Sequence, residues 1–187
     1  MNIIIRKENI KDKNIIYSLI KEAFKNEVHS DGDEPDLVNR LRNSKSYIPE
    51  LSLVATFDES IMGYIMFTKI LIENEDNKSE SLALAPLAVL PDYQNKGIGS
   101  KLINKGLEIA KNLGYKSVIV LGSETYYPKF GFKEALCFGI KAPFEVLSSN
   151  FMSIELEESA LKDVSGTVVY AKEFFEKWLI INIDFII

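Results

Sequence analysis

The sequence predicts a single α/β (α+β) domain in which helices pack on a largely antiparallel sheet. Apolar side chains recur every three or four residues in three segments, residues 12–24, 34–41 and 98–113, which is the period of a helix with one buried face. β-branched and aromatic runs of strand length lie between those segments. A length of 187 residues fits one domain.

Composition excludes several kinds of site. The chain has 22 Lys and Arg against 27 Asp and Glu, a formal net charge of −5, so we expect no nucleic-acid surface, which needs net positive potential. One cysteine, Cys137, and one histidine, His29, exclude an internal disulfide and a Cys/His zinc site. We expect no metal, and we expect Cys137 to be a small buried apolar residue rather than a nucleophile.

Neither end of the sequence predicts an export or membrane segment. The apolar stretch in residues 1–6 is shorter than a signal-peptide core, and charged residues follow at once. The apolar run 178–187 contains Asn182 and Asp184 and falls short of the roughly 20 residues that a spanning helix needs. We expect a cytoplasmic monomer or homodimer without membrane contact. The run 178–187 is open to interpretation as an edge strand, a dimer contact or a disordered end.

The first half of the chain predicts two helices and four strands. The strands cover residues 2–6, 51–57, 61–72 and 81–90, and the helices cover residues 12–24 and a segment that begins at Glu34-Pro35. The polar residues 58–60 predict a hairpin, and a polar tip at 73–80 leads into the third strand of a meander. Pro86 cannot donate to a ladder, so an edge, a bulge or a splay is expected there.

The second half predicts one long helix and further strands. The helix has an inward face formed by Ile98, Leu102, Ile103, Ile109, Ala110 and Leu113. Gly114 ends the helix. Ser117–Leu121 is a short apolar strand that we expect to be buried on both faces. A turn or short helix at 122–131 follows, then strands at 151–156 and 167–170 and a short helix at 173–178.

The most informative segment is residues 87–102, where a strand runs through a two-glycine turn into an amphipathic helix. The first amides of such a helix lack intrahelical partners, which makes the turn a natural phosphate site. Gly97 and Gly99 remove Cβ atoms from the approach, and Lys96 adds a positive charge. The spacing is not that of a P-loop, and Leu102 stands where a dinucleotide fingerprint has its third glycine. From the residues alone, a plain glycine turn remains an alternative.

The turn resembles one known family. Gln94-x-x-Gly97-x-Gly99 is similar to the Q/R-x-x-G-x-G/A turn of the GNAT superfamily of acyl-CoA-dependent N-acetyltransferases, and Tyr127-x-x-x-Gly131-Phe132 resembles its Tyr-x-x-x-Gly-Phe segment. The resemblance implies a mixed, mostly antiparallel sheet that is splayed at the fourth strand, with helices on both faces. It implies coenzyme A contacts from Leu87, Ala88, Val89, Gln94, Asn95, Lys96, Gly97, Ile98, Gly99, Ser100, Tyr127 and Phe130.

The resemblance extends over residues 1–175 and is strongest between 86 and 132, so we expect one GNAT domain over 1–187 with a tail at 176–187. The motifs Tyr126-Tyr127-Pro128-Lys129-Phe130-Gly131-Phe132 and Gly166-Thr-Val-Val-Tyr170 are similar to a bacterial branch whose acceptors are largely unassigned. The chain departs from many members after the fifth strand, where Gly122-Ser123-Glu124 stands in place of an Asn.

The resemblance implies direct transfer of an acetyl group from acetyl-CoA to a primary amine of a small molecule or peptide. Tyr127 is the candidate general acid for the leaving thiolate, with Tyr126 as a weaker choice, and a backbone amide near Val89 would polarise the carbonyl. Candidates for the base are Glu34, Glu124, Asp36 and His29. Two other functions remain open, a noncatalytic acyl-CoA-binding module and a protein N-acetyltransferase.

Overall fold

Nine strands and three α-helices make up the part of the chain that the computed structural model describes, residues 2–27 and 30–176. The strands are β1 (Ile4–Lys7), β2 (Tyr47–Phe57), β3 (Ser60–Glu73), β4 (Lys78–Val89), β5 (Ser117–Leu121), β6 (Lys133–Glu134), β7 (Ile140–Lys141), β8 (Phe151–Glu155) and β9 (Gly166–Val169). The helices are α1 (Lys13–Phe24), α2 (Glu34–Arg42) and α3 (Ile98–Asn112). His29 and the apolar run 178–187 lie outside the described residues.

The strands form one mixed, mostly antiparallel sheet, as predicted. Its main order is β1-β2-β3-β4-β5-β8-β6, and β9 pairs with β3 and β7. The pairs β4–β5 and β7–β9 are parallel. β2 pairs with β3 only as far as Thr68. Beyond that residue β9 pairs with the same edge of β3, where Leu71 lies opposite Val169. This return brings the chain that follows β9 back toward α2.

Both faces of the central strands are buried, which explains their continuous apolar sequences. Side chains alternate between the two faces of a strand. Val54 and Tyr64 pack in the cluster that contains α1 and α2, whereas Leu53 and Ile65 pack in the cluster that contains α3. The helices therefore cover both faces of the sheet, as expected from the resemblance.

Three strands, β2, β3 and β4, are longer than the sequence predicted because their ends pair through polar residues. β2 begins at Tyr47, which pairs with Thr68, and its register shifts before Ser52. The tip between β3 and β4 narrows to residues 74–77, since Glu73 pairs with Lys78. In the β2–β3 turn, Asp58 and Glu59 both have positive φ, 45° and 66°. Positive φ at both central residues is typical of the tight hairpin turn that matches strand twist.

Helix α3 lies very close to the sheet. Its buried face is formed by Ile98, Leu102, Ile103, Gly106 and Ala110. A Cβ at Gly106 would lie 2.3 Å from the Phe67 ring, so the glycine permits this approach. The sequence placed Leu113 on this face, but it is 46% exposed because the helix ends at Asn112.

Cys137 differs from expectation, since it is exposed rather than buried. It lies in the short 3-10 helix Ala135–Phe138, in which Ala135 is the side chain that enters the core. Within the described ranges, no cluster of three or more His, Cys, Asp or Glu side chains could hold a metal ion. Over the same residues, no helix has the length and apolar character needed to cross a membrane.

Candidate active site

The sheet opens between β4 and β5. The two strands pair in parallel from Leu82–Val118 to Leu84–Val120, and no strand among the described residues pairs with β4 beyond that point on the β5 side. β4 itself continues along β3 as far as Val89. Between the pairs Phe67–Leu84 and Ile65–Leu87, two residues of β4, Ala85 and Pro86, lie opposite a single residue of β3. This arrangement is a β-bulge. Pro86 therefore marks both a bulge and the splay of the fourth strand.

A cavity of about 940 Å³ fills this opening. One wall is the free edge of β4 and the other is the chain that follows β5, with Gly122, Tyr126 and Tyr127. Predicted site residues that line the cavity are Leu87, Ala88, Val89, Gln94, Tyr127 and Glu34. Asn95, Lys96, Gly97, Ile98, Gly99, Ser100, Phe130 and Glu124 are not among its lining residues.

The glycine turn lies at the end of β4 and is tied to it. Gln94 donates from Nε2 to the carbonyl of Val89 at 3.2 Å. Gly97 has φ +80°, a left-handed conformation that favours glycine, and a Cβ there would have no atom within 4 Å. Lys96 donates from Nζ to the Asp92 carbonyl at 2.7 Å. The side chain of Ile98 is buried in the core, so only its backbone can face a ligand.

Tyr126 connects the glycine turn with the other wall of the cavity. A Cβ on Gly99 would lie 2.7 Å from the Tyr126 hydroxyl, so the glycine leaves room for that side chain. The Tyr126 ring also packs edge-on against Tyr127, at 5.4 Å between ring centroids, and against Phe130, at 5.3 Å. From the sequence, Tyr126 is a weaker candidate for the general acid than Tyr127. A local motif does not show which of two adjacent tyrosines reaches the start of α3.

Tyr127 is packed at the cavity wall and is only 9% exposed. Its ring packs on the backbone of Gly122, where a Cβ would lie 2.3 Å from Tyr127 Cε2, and edge-on against Phe132. Burial raises the pKa of Tyr127 well above its ordinary value of 10.0, and the nearby Tyr126 raises it further. Tyr127 therefore stays protonated at neutral pH and can donate its O–H.

The structure separates the candidate bases. Glu34, the first residue of α2, lines the cavity, and its Oε2 is buried without a hydrogen-bond partner among the described residues. Glu124 instead accepts a hydrogen bond from Asn150 Nδ2 at 2.7 Å. Asp36 accepts from the Tyr17 hydroxyl, and this hydrogen bond raises the pKa of Tyr17. Of these three carboxylates, Glu34 alone shares the cavity with Tyr127.

An aromatic wall closes the cavity on the side of α1 and α2, and sequence reasoning missed it. This aromatic wall consists of Phe24, Phe144, Tyr170, Phe174 and Phe175. Its rings contact one another: the ring centroids of Phe144 and Tyr170 are 6.2 Å apart and nearly parallel, and those of Tyr170 and Phe174 are 5.0 Å apart. Only Tyr170 belongs to a motif singled out in the sequence, and no motif shows that the five rings meet, since they come from three separate segments of the chain.

Arg40 fixes the last part of the aromatic wall to α2. Its guanidinium forms two hydrogen bonds with Asp33, at 3.0 and 2.5 Å, and donates to the carbonyl of Glu173 at 3.2 Å. Phe174 and Phe175 follow Glu173 directly. The hydrogen bond from Arg40 to Glu173 therefore positions two cavity-lining rings beside the helix that carries Glu34.

Comparison with known proteins agrees with this architecture. The model of the acetyltransferase (GNAT) family matches residues 14–132. The uncharacterized N-acetyltransferase YjhQ of Escherichia coli is 40% identical over 116 residues, which are 60% of this chain and 63% of YjhQ, so the chain spans less than two thirds of that relative. The uncharacterized N-acetyltransferase YhbS of the same species is 31% identical over 172 residues, 91% of this chain and 98% of YhbS.

Two solved structures share the fold closely. The crystal structure of Escherichia coli YhbS in complex with CoA has a TM-score of 0.83 at 31% identity, over 92% of this chain and 91% of that one. A GNAT family acetyltransferase from Brucella melitensis in complex with acetyl-CoA has a TM-score of 0.76 at 31% identity, over 92% and 98%. The resemblance found in the sequence is thereby confirmed, and the chain belongs to the GNAT family of acetyltransferases.

Proposed function

We propose that this protein transfers the acetyl group of acetyl-CoA directly to a primary amine of a small molecule or peptide. The observation that carries the proposal is the splay of β4 from β5, which opens a cavity that Tyr127 and Glu34 both line. Two relatives of the same fold support it, because YhbS has been crystallised with CoA and the Brucella melitensis protein with acetyl-CoA.

The residues of the splay fit an extended cosubstrate with a phosphate group. Beyond Leu84, the β4 edge that faces β5 has no strand partner in the described part of the chain, so its backbone groups are free to pair with the amides of a pantetheine arm. The first amides of α3, at Ile98 and Gly99, follow the open turn at Gly97 and suit the pyrophosphate. We therefore assign the contacts to residues 87–89 and to the turn 94–100.

Tyr127 and Glu34 are the proposed proton carriers. A protonated amine must lose one proton before its nitrogen can attack, and we assign that proton to Glu34. The C–N bond then forms, the C–S bond breaks and the amine nitrogen loses its second proton. The thiolate takes one proton from Tyr127, and the second amine proton restores the phenol. In balance, an ammonium ion and a thioester give an amide, a thiol and one proton that leaves from Glu34 to solvent.

The raised pKa of Tyr127 restricts how its proton can move. A thiol has a pKa of about 8.5, below that of this tyrosine, so complete transfer to a free thiolate is unfavourable. Delivery must be coupled to the loss of the second amine proton, which returns the phenol to its neutral form at once. Tyr127 would therefore act as a hydrogen-bond donor that becomes an acid only as the C–S bond breaks.

The test is amine-dependent release of free thiol. The protein is incubated with acetyl-CoA and one primary amine at a time, thiol release is followed with a chromogenic reagent, and the product is identified by mass spectrometry. We expect release to depend on both protein and amine and to match formation of an N-acetylated product. Binding of coenzyme A by calorimetry without amine-dependent release would instead identify a noncatalytic acyl-CoA-binding module, and acetylation of proteins alone would identify a protein acetyltransferase.

The cytoplasmic location and the monomeric or dimeric state remain predictions from the sequence. Size-exclusion chromatography with light scattering of the full chain measures the second of these.

A further inference from the structure

The cavity combines an apolar, aromatic lining with two carboxylates. Its acceptor side is formed by the aromatic wall together with Ala23, Leu37 and Pro143. The carboxylates of Glu27 and Glu34 are the charged groups among its described lining residues, and no Lys or Arg is included. Any acceptor that enters here meets rings on several sides and negative charge at two points.

Glu34 has a buried carboxylate oxygen, Oε2, that accepts no hydrogen bond from the described residues. Arg40 lies on the same helix, but its guanidinium is already held by Asp33 and by the Glu173 carbonyl. A buried carboxylate oxygen without a hydrogen bond is costly, and a ligand N–H would remove that cost. Since Glu34 has such an atom and its side chain belongs to the cavity wall, the missing donor is best supplied by an ammonium group of the acceptor.

We infer that the acceptor is a monoamine with an aromatic ring, whose ammonium pairs with Glu34 while its ring packs on the aromatic wall. This inference rests on the proposed acetyl transfer, because it names the substrate class of the same site. The rings of Phe144, Tyr170 and Phe174 line the cavity, and aromatic rings pack favourably on one another, so these side chains favour an acceptor with an aromatic ring. A carboxylate on the acceptor would find no cation among the described lining residues, and a buried, unpaired charge is strongly disfavoured.

Four amines separate the contributions of ring and charge. 2-Phenylethylamine has the ring and one ammonium, n-butylamine lacks the ring, 1,4-diaminobutane adds a second ammonium, and phenylalanine adds a carboxylate. We expect kcat/KM to be highest for 2-phenylethylamine. Butylamine should be poorer by roughly 10-fold or more, the usual effect of losing a buried ring. Equal or better turnover of butylamine or diaminobutane would overturn the inference while acetyl transfer itself stands, and so would better turnover of phenylalanine.

Variants test the two contacts separately. Phe144→Ala removes a ring that is 40% exposed, so the fold should tolerate it, and we expect KM for 2-phenylethylamine to rise several-fold while KM for butylamine stays constant. Leu147→Ala is the matched control, since it removes an apolar side chain of the same segment that does not line the cavity. Equal KM values for the Phe144 variant and the wild type would remove the aromatic wall from acceptor recognition.

A binding experiment keeps the inference testable if no amine is acetylated. N,N-dimethyl-2-phenylethylamine keeps the ring, the charge and one N–H, yet gives no stable amide. We expect calorimetry to detect its binding to the protein–CoA complex, and Glu34→Gln to weaken that binding at least roughly 10-fold, as for loss of a charge-assisted hydrogen bond. Absence of binding to the wild-type complex would overturn the inference whether or not the proposed activity holds.

Discussion

The Tyr126 hydroxyl occupies the space where a side chain at residue 99 would lie, since a Cβ on Gly99 would be 2.7 Å from it. Gly99 lies in the first turn of α3 and Tyr126 follows β5, so the contact links the two sides of the splayed sheet. Gly99 therefore has two roles: it leaves the first amides of the helix open and it allows a tyrosine hydroxyl to approach them.

Gly99→Val is expected to weaken coenzyme A binding about 10-fold or more, because loss of a charge-assisted hydrogen bond alone has this effect. The valine would shield the helix amides and displace Tyr126. Calorimetry with coenzyme A measures the affinity, and thermal unfolding checks that the variant is folded. Unchanged affinity in a folded variant would remove the turn from the binding site.

A double-mutant cycle tests the contact itself. Gly99→Ala should displace the Tyr126 hydroxyl, whereas in Tyr126→Phe the next ring atom, Cζ, lies at an ordinary 3.8 Å from the new Cβ. Because alanine has a helix propensity about 1 kcal/mol better than glycine, stability should not mask the result. We expect Gly99→Ala to weaken coenzyme A binding in the wild type and to have little effect in the Tyr126→Phe background. Additive effects would show that the two residues act independently.

Tyr127→Phe should lower kcat by roughly 10²-fold while coenzyme A affinity stays nearly unchanged, which is the lower range for general acid catalysis. The phenylalanine keeps the ring that packs on Gly122 and Phe132, so the fold should be preserved. Steady-state kinetics should show a smaller loss with an acyl donor whose thiol is more acidic, since that leaving group needs less help. A variant with wild-type turnover, or with equal losses on both donors, would leave Tyr127 as a wall of the cavity only.

Glu34→Gln should reduce kcat/KM most strongly at low pH, where the amine arrives protonated, and the loss should shrink as the pH approaches the pKa of the amine. Glu124→Gln is the matched control. It removes the same charge from a carboxylate that Asn150 holds outside the cavity, so its pH profile should follow the wild type. If the two variants have the same profile, Glu34 is not the base.

The parts of the site that could be predicted are those encoded in contiguous residues. The spacing of Gln94, Gly97 and Gly99 fixes a turn before a helix, and Pro86 fixes a break in strand pairing, so local chemistry alone identified them. Tyr127 was predicted from the resemblance of Tyr127-x-x-x-Gly131-Phe132 to a GNAT segment, which is also a contiguous motif. Each of these features needs no knowledge of which distant segment packs beside it.

The aromatic wall and the choice of base depend on distant contacts instead. Phe24 and Phe174 line the same cavity because β9 pairs with the end of β3 and Arg40 holds the following residues on α2. Glu34 and Glu124 look equivalent in the sequence, since each is an acidic residue in a polar segment. Only the packing of α2 and the hydrogen bond from Asn150 distinguish them.

Buried tyrosines predict a loss of stability at alkaline pH. Burial raises the pKa values of Tyr64, Tyr127 and Tyr170 above their ordinary value of 10.0. A group whose pKa is raised by folding contributes fully below the unfolded pKa, and its contribution is lost as the pH rises above that value. Urea unfolding should therefore show a free energy of unfolding that falls above pH 10, by about 1.4 kcal/mol per pH unit for each such group.

Tyr170→Phe separates the effect of one buried phenol on stability from the effect of the lysines, which titrate in the same pH range. Phenylalanine keeps the ring contacts with Phe144 and Phe174 and removes the hydroxyl. Below pH 9 the stability curves of the variant and the wild type should run parallel. Above pH 10 the variant should lose stability less steeply, by about 1.4 kcal/mol per pH unit, because one fewer buried phenol must ionise on unfolding. Parallel curves through pH 11 would mean that Tyr170 is accessible to water in the folded protein, contrary to its packing in the aromatic wall.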